Sequence, residues 1–130
     1  MKRPNINLDN ITIDCALEDV EVLMDFYSKL TGFNAEPLSE EFMPTMQGDH
    51  IAISFQPVEG YQRPTFPTEE RGQQIHLDFR VHDLKEAVLY AKSIGAIDAP
   101  MQFGDSWHVL MDPAGHPFCL TLNGLFPLDQ

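Results

Sequence analysis

Three side chains of different chemistry alternate with apolar residues early in the second half of the chain. His76, Asp78 and Arg80 are separated by Leu77 and Phe79, so a strand would project all three from one face. An imidazole beside a carboxylate and a guanidinium could contact a ligand, act as a general base or grip an anionic group. The alternative is the solvated face of an antiparallel sheet, which alternates in this way without any function.

The same pattern occurs 64 residues earlier in the chain, which indicates a duplication. Thr12-Ile13-Asp14 corresponds to His76-Leu77-Asp78, and each copy continues from an alternating segment into one with helical spacing. Two half-modules of this size must pack together to bury their apolar faces. The duplication makes Thr12 and His76 equivalent positions, and only the second of them carries an imidazole.

The first copy predicts a strand, a helix and three further strands. Apolar residues alternate over 11–17, and a helical spacing of apolar residues then begins at Val20 and ends at Gly32. Asp19 precedes this helix and is the predicted N-cap. Three further strands are predicted at 33–36, 41–47 and 50–56.

The second copy repeats this order of elements. Alternation over 75–82 predicts a strand, and Asp83 with Glu86 three residues later forms a capping box. The helix that follows ends at Gly95, and strands are predicted at 97–102, 106–111 and 117–122. The residues at 112–115 are Asp, Pro, Ala and Gly, which have the preferences of a type I turn and should join the last two strands.

Two βαβββ modules predict an α+β fold, in which a cupped mixed β-sheet carries the helices on its outer face. We expect a single domain over 1–130, with module 1 at about 6–56, a linker at about 57–73 and module 2 at about 74–126. The helices should cover one set of strand residues: Ile13, Leu17, Ile75, Leu77 and Phe79. The concave side should carry the other set: Thr12, Asp14, His76, Asp78, Arg80, Cys119 and Thr121.

The net charge of −12 limits the partners that this chain can have. It argues against nucleic acid and against an anionic membrane surface, and it favours a cationic ligand or serves solubility alone. Without a long apolar run or a signal-peptide pattern, we expect no membrane association and a cytoplasmic, reducing location. Alternation places Cys15 on an apolar face and Cys119 on the opposite type of face, so we expect no disulfide.

Three segments in a fixed order carry a family resemblance. They are Asp25–Phe33 at the end of the first helix, His76–Leu84 at the start of the second module, and Asp112–Leu120 at its end, with Trp107 shortly before. In order and spacing they resemble the vicinal oxygen chelate superfamily, which includes glyoxalase I, bleomycin resistance proteins and extradiol dioxygenases. The linker resembles that of the glyoxalase-like domain subgroup.

The resemblance implies one divalent metal in the cup. Its usual ligands are a His or Gln on the first strand of each module and a Glu or equivalent on each last strand. Carried over position by position, these places are Thr12, His76, Cys119 and a residue near Ala52 or Ile53. Only His76 keeps the usual type, and a catalytic zinc site normally has three protein ligands. We therefore expect no metal cofactor, with a divalent metal as the alternative.

The resemblance implies a small-molecule-binding protein of the glyoxalase and bleomycin-resistance type, with its ligand in the cup. The alternative is a divalent-metal-dependent lyase, isomerase or dioxygenase, and catalytic residues are not assigned. A third possibility is an interaction module, because members of the superfamily commonly form homodimers. Trp107 lines the pocket or fills a core gap. The predicted ligand-binding residues are Thr12, Asp14, His76, Asp78, Arg80, Trp107 and Cys119.

Overall fold

The computed structural model divides into two compact units, Met1–Tyr61 and Gln62–Gln130. It describes residues 1–5, 8–35, 44–65, 70–72, 75–124 and 128. In the described residues each unit holds one α-helix and a four-stranded mixed sheet, and the strand order is equivalent in both. This confirms the predicted α+β class and the two βαβββ modules. The border between the units lies within the predicted linker, while the single-domain assignment and the module limits stay predictions.

Unit 1 (Met1–Tyr61) contains strands β1 (Asn10–Cys15), β2 (Asn34–Ala35), β3 (Thr45–Gln47) and β4 (Ala52–Pro57) and helix α1 (Val20–Thr31). The order in the sheet is β1-β4-β3-β2, and β1 is parallel to β4, while β3 is antiparallel to both of its neighbours. The four strands correspond to the predicted ones. Residue 36 and residues 41–43, which were included in the predicted second and third strands, lie outside the described residues.

Helix α1 packs its predicted apolar stripe against the sheet of unit 1. Leu23, Phe26 and Tyr27 are buried, and the Tyr27 ring lies 5.8 Å from that of Phe55 on β4. The helix begins and ends where the sequence predicts, with a left-handed C-cap at Gly32. The predicted capping role of Asp19 is wrong. Its backbone is already helical and its side chain makes no capping hydrogen bond, because a 3-10 turn at Leu17–Asp19 precedes the helix.

Unit 2 (Gln62–Gln130) contains strands β5 (Leu77–Arg80), β6 (Ile97–Asp98), β7 (Trp107–Met111) and β8 (Pro117–Thr121) and helix α2 (Leu84–Ser93). The order in the sheet is β5-β8-β7-β6, and β5 is parallel to β8, while β7 is antiparallel to β6 and β8. The buried centre of this unit includes Leu110, Phe118 and Leu120 of the sheet and Ala91 of α2. No helix in the described part of the chain is both long enough and apolar enough to cross a membrane.

Two apolar residues predicted to be covered by helices are exposed instead. Leu17 is 72% exposed and Ile75 is 82% exposed. Both lie just outside a strand, because β1 ends at Cys15 and β5 begins at Leu77. The alternation of faces holds only within the pleated strand, so it assigns no face to residues beyond its ends.

Strand β6 is shorter than the predicted 97–102, and beyond it a side chain supplies part of the hydrogen bonding to β7. The Gln102 amide oxygen accepts a hydrogen bond from the Val109 N–H at 2.8 Å, and its nitrogen donates to the Val109 carbonyl at 2.8 Å. The Val109 carbonyl also accepts a hydrogen bond from the Ala99 N–H at 3.1 Å, so Gln102 replaces the backbone partner only at the Val109 N–H. The chain can therefore leave the sheet after Ala99 without leaving that N–H unsatisfied.

Candidate functional site

Strand register places the polar residues of unit 2 on one face of its sheet. Directly paired residues share a face, and β5 pairs Asp78 with Cys119 and Arg80 with Thr121 on β8. The opposite face carries Leu77 and Phe79 of β5 and their partners Phe118 and Leu120 of β8. We call the first of these the polar face of unit 2. It contains Asp78, Arg80, Cys119 and Thr121, with Trp107 of β7 beside Thr121 and with His76 immediately before β5.

Three of these side chains form a cluster. The His76 Nε2 atom lies 3.2 Å from the Asp78 Oδ1 atom. The side chains of His76, Asp78 and Cys119 each offer one potential ligand atom, and these atoms all lie within 4.8 Å of one another. His76 and Asp78 are exposed and Cys119 is half-buried, so the cluster is open to a ligand from outside the sheet. An imidazole, a carboxylate and a thiol therefore meet at one place.

The surroundings of the Cys119 thiol oppose the loss of its proton. Burial and the adjacent Asp78 carboxylate, to which the thiol hydrogen-bonds, raise the pKa of Cys119 to about 11. At neutral pH it is therefore a protonated donor and a poor nucleophile. Cys15, in contrast, is buried on the apolar side of β1, and neither cysteine is part of a disulfide.

A second row of side chains crosses the same face one step further along the strands. Arg80 of β5 pairs with Thr121 of β8, and Thr121 pairs with Trp107 of β7. The stem of Arg80 lies in the space above Gly124, and the six-membered ring of Trp107 lies in the space above Gly104. A side chain at either glycine would collide with the residue above it, so these two glycines define where Arg80 and Trp107 lie.

The equivalent face of unit 1 carries a different set of groups. Thr12 is exposed and donates a hydrogen bond to the Asn10 side-chain oxygen at 3.2 Å. Asn10 in turn donates to the buried Ser54 hydroxyl at 2.8 Å, and Ser54 also hydrogen-bonds Thr45 at 2.8 Å. Asp14 is exposed and pairs in register with Gln56. Thr12 thus belongs to a hydrogen-bonded network of hydroxyl and amide side chains that includes no imidazole and no thiol.

The strand register of unit 1 assigns one of the four family ligand positions to a different residue from the one predicted. Asp14 pairs with Gln56 as Asp78 pairs with Cys119, so Gln56 is the unit 1 counterpart of Cys119. The predicted place near Ala52 or Ile53 is therefore displaced to Gln56. Ile53 is buried and pairs with Ile11 on the apolar face. The predicted place lies three to four residues before Gln56, and the offset of 64 residues between the first strands leads from Cys119 to Phe55, so only the strand register identifies Gln56.

The cluster on unit 2 can be tested for its fit to a metal ion. A catalytic zinc ion usually has three protein ligands, and imidazole, carboxylate and thiolate are all zinc donors. His76, Asp78 and Cys119 fit zinc in number and type, and they suit it better than a hard cation such as Mg²⁺. The raised pKa of Cys119 opposes the fit, because binding requires that the thiol lose its proton.

The family follows from a comparison with known proteins. A family model of the glyoxalase-like domain matches residues 10–121, which is most of the chain. The chain belongs to this glyoxalase-like domain family. A search of curated proteins found no significant match.

Several solved structures have the same fold as this chain. A glyoxalase/bleomycin resistance protein/dioxygenase family enzyme from Burkholderia phytofirmans PsJN is 22% identical, with a TM-score of 0.62 over 88% of this chain and 97% of that one. The fosfomycin resistance protein FosX from Listeria monocytogenes is 16% identical, with a TM-score of 0.67 over 92% of both chains. A mutant of FosX was crystallised with Mn(II) and 1S,2S-dihydroxypropylphosphonic acid; it is 15% identical, with a TM-score of 0.65 over 92% of this chain and 91% of that one.

Proposed function

We propose that this chain binds a small organic molecule on the polar face of unit 2, with His76 and Asp78 as the principal contacts and no obligatory metal. The observation that carries the proposal is the cluster of His76, Asp78 and Cys119, whose polar atoms lie together at an exposed position of the sheet. The FosX mutant, which has the same fold, was crystallised with a small organic acid together with Mn(II), so it agrees with this class of ligand and does not favour the metal-free form over the metal-dependent one.

In this proposal Asp78 orients His76 for the ligand. A carboxylate 3.2 Å from Nε2 favours the tautomer with its proton on that nitrogen. The Nδ1 atom of His76 is then an acceptor, able to take a hydrogen bond or a proton from the ligand. Cys119 donates to Asp78 from the other strand and keeps the carboxylate in place. The three groups together would form a small acceptor site next to Arg80.

A divalent-metal-dependent lyase, isomerase or dioxygenase is the second candidate. It is favoured by the same three residues, since they supply the number and types of donor that a zinc ion takes. Such an ion, once bound, would supply Lewis-acid polarisation of adjacent oxygens of a substrate. His76, Asp78 and Cys119 would hold it, and Cys119 would have to release its thiol proton first.

The other sequence-based expectations complete the proposal. Thr12 and Asp14 stay predicted ligand contacts from unit 1, and the homodimer and the cytoplasmic location also stay predictions. The predicted preference for a cationic ligand depended on Asp14 and Asp78. The Asp78 carboxylate already contacts His76 and accepts a hydrogen bond from Cys119, so it has less capacity left to bind a cationic ligand.

The test compares His76→Ala with Leu120→Ala after a thermal-shift screen of small carboxylates, phosphonates and amines. We expect His76→Ala to change the free energy of unfolding by no more than about 0.5 kcal/mol, because the side chain is exposed. It should weaken binding of the selected compound by about 1–3 kcal/mol. Leu120→Ala, which removes a buried side chain, should cost about 2–5 kcal/mol of stability.

The exposed His82 provides the matched control, since His82→Ala removes an imidazole from the same unit outside the cluster. Equal loss of affinity in both histidine variants would contradict the proposal. A parallel titration with zinc after dialysis against a chelator separates the two candidates. Compound binding that requires zinc, and that is lost in Cys119→Ser, would replace the metal-free proposal with the metal-dependent one.

A further inference from the structure

We propose that Arg80, Thr121 and Trp107 form a subsite for an aromatic carboxylate, with the carboxylate at Arg80 and Thr121 and the ring against Trp107. This deepens the proposed function by naming the ligand class, and it rests on that function only in placing the ligand on the polar face of unit 2. Its residues differ from those of the His76 cluster, so the two can be tested separately.

The spacing of the row suits a ligand of one ring and one acid group. Arg80, Thr121 and Trp107 are direct partners on three adjacent strands, and neighbouring strands lie about 4.8 Å apart. The backbones that carry Arg80 and Trp107 are therefore roughly 10 Å apart, with only the short Thr121 side chain between them. A small planar ligand can lie over Thr121 and reach both of the larger side chains.

The acid group is assigned to the β5 end of the row. A guanidinium offers paired N–H donors whose geometry matches a carboxylate. The Thr121 hydroxyl oxygen accepts a hydrogen bond from the Asn123 N–H at 3.0 Å. This bond does not use the hydroxyl proton, which Thr121 can therefore donate to the ligand. Arg80 is exposed, and the aliphatic part of its side chain packs over Gly124, which restricts the positions that the guanidinium can take.

The ring is assigned to the β7 end. Trp107 is half-buried and its indole lies over Gly104, which leaves it in a defined orientation. The next residue of β7 on the same face is Val109, which is buried and apolar. The face therefore changes from charged on β5 to apolar on β7, and the ligand that matches this change has a charged end and an aromatic end.

Benzoate is the probe, and Trp107 is the reporter because it is the only tryptophan of the chain. Its fluorescence is followed during titration with benzoate, neutral benzamide, cationic benzylammonium and acetate at constant ionic strength and in the presence of a chelator. We expect benzoate to bind at least about tenfold more tightly than benzamide or benzylammonium, as a hydrogen bond to a charged group implies. Acetate should bind most weakly, since it lacks the ring.

Arg80→Gln should weaken benzoate binding by at least about tenfold, while Arg63→Gln should not. Arg63 is the matched control, because it is an exposed arginine of the same unit that donates to the Pro113 carbonyl, away from this row. Gly104→Ala, which displaces the indole, should shift the Trp107 emission and weaken benzoate but not acetate. Circular dichroism and urea unfolding confirm that each variant is folded.

The possible outcomes separate this inference from the proposed function. Loss of benzoate binding in Arg80→Gln but not in His76→Ala supports the subsite and contradicts the proposed role of His76. Loss in His76→Ala but not in Arg80→Gln overturns the subsite and leaves the proposed function standing. The subsite is also overturned if the wild-type protein does not bind benzoate, if benzylammonium binds more tightly than benzoate, or if Arg63→Gln has the same effect as Arg80→Gln.

Discussion

At the scale of single residues, Asp78 determines the chemistry of its neighbours. Its carboxylate lies 3.2 Å from His76 and also meets the Cys119 thiol, whose pKa it raises further than burial alone would. A negative charge therefore makes Cys119 less reactive and His76 better oriented at the same time. This arrangement favours hydrogen bonding and proton transfer over nucleophilic attack by sulfur.

Replacing Asp78 should make Cys119 more reactive. Because the pKa of about 11 depends on burial first and on Asp78 second, Asp78→Asn should lower it while leaving it above the ordinary value for a thiol. Alkylation of Cys119 by iodoacetamide at pH 8 should then be faster, with a midpoint at lower pH, as measured by mass spectrometry. Buried Cys15 is the internal reference, and Asp98→Asn, an exposed carboxylate of the same unit, is the control variant. An unchanged rate in Asp78→Asn would refute this account.

The faces of these residues could be predicted from the sequence, since Asp78, Arg80, Cys119 and Thr121 lie on the side that alternation indicates. The contacts between these side chains could not be predicted from the sequence, because contacts across strands depend on the strand register. Gln56 shows the limit, because the register of β1 and β4, and not the offset between the two copies, identifies it as the counterpart of Cys119 in place of Ala52 or Ile53. Leu17 and Ile75 show that alternation does not predict which face a residue occupies once it lies beyond the end of a strand.

At the scale of elements, the two helices begin differently although the sequence predicts an aspartate cap for both. Asp83 has an extended backbone and accepts a hydrogen bond from the Glu86 N–H at 3.0 Å. Asp19 is the last residue of a 3-10 turn and makes no capping hydrogen bond. Local sequence predicts where each helix begins, but the preceding turn decides whether the side chain can reach back to the first free N–H groups.

Removing the two aspartates should therefore have unequal effects. We expect Asp83→Ala to lower the free energy of unfolding by about 0.5–2 kcal/mol, and Asp83→Asn to retain most of the stability because Asn is also a good N-cap. Asp19→Ala should stay within about 0.5 kcal/mol of the wild type, since no cap is lost. Urea unfolding followed by circular dichroism measures all three. A loss in Asp19→Ala as large as that in Asp83→Ala would contradict the observed cap geometry.

At the scale of the whole molecule, the excess of acidic over basic residues opposes the folded state. The chain has 20 acidic and 8 basic residues, giving a net charge of −12. Exposed ion pairs such as Lys29–Asp25 at 2.8 Å and Lys92–Asp98 at 2.7 Å offset this repulsion in part. Each exposed pair contributes only about 0–1 kcal/mol. Repulsion caused by the excess of acidic residues should therefore outweigh the attraction of the ion pairs, and added salt should screen more repulsion than attraction.

We accordingly expect the Tm to rise when NaCl is increased from low to physiological ionic strength. Removing one exposed acid, as in Glu59→Gln, should raise the Tm at low salt through a gain of up to about 0.5 kcal/mol, and the difference should disappear at high salt. Lys29→Gln is the opposite control and should lower the Tm at low salt, because it removes a cation that is paired with Asp25. Chloride is the appropriate anion, since sulfate stabilises proteins by exclusion whatever their charge. A Tm that falls with NaCl would mean that the ion pairs, not the net charge, dominate the electrostatics of this protein.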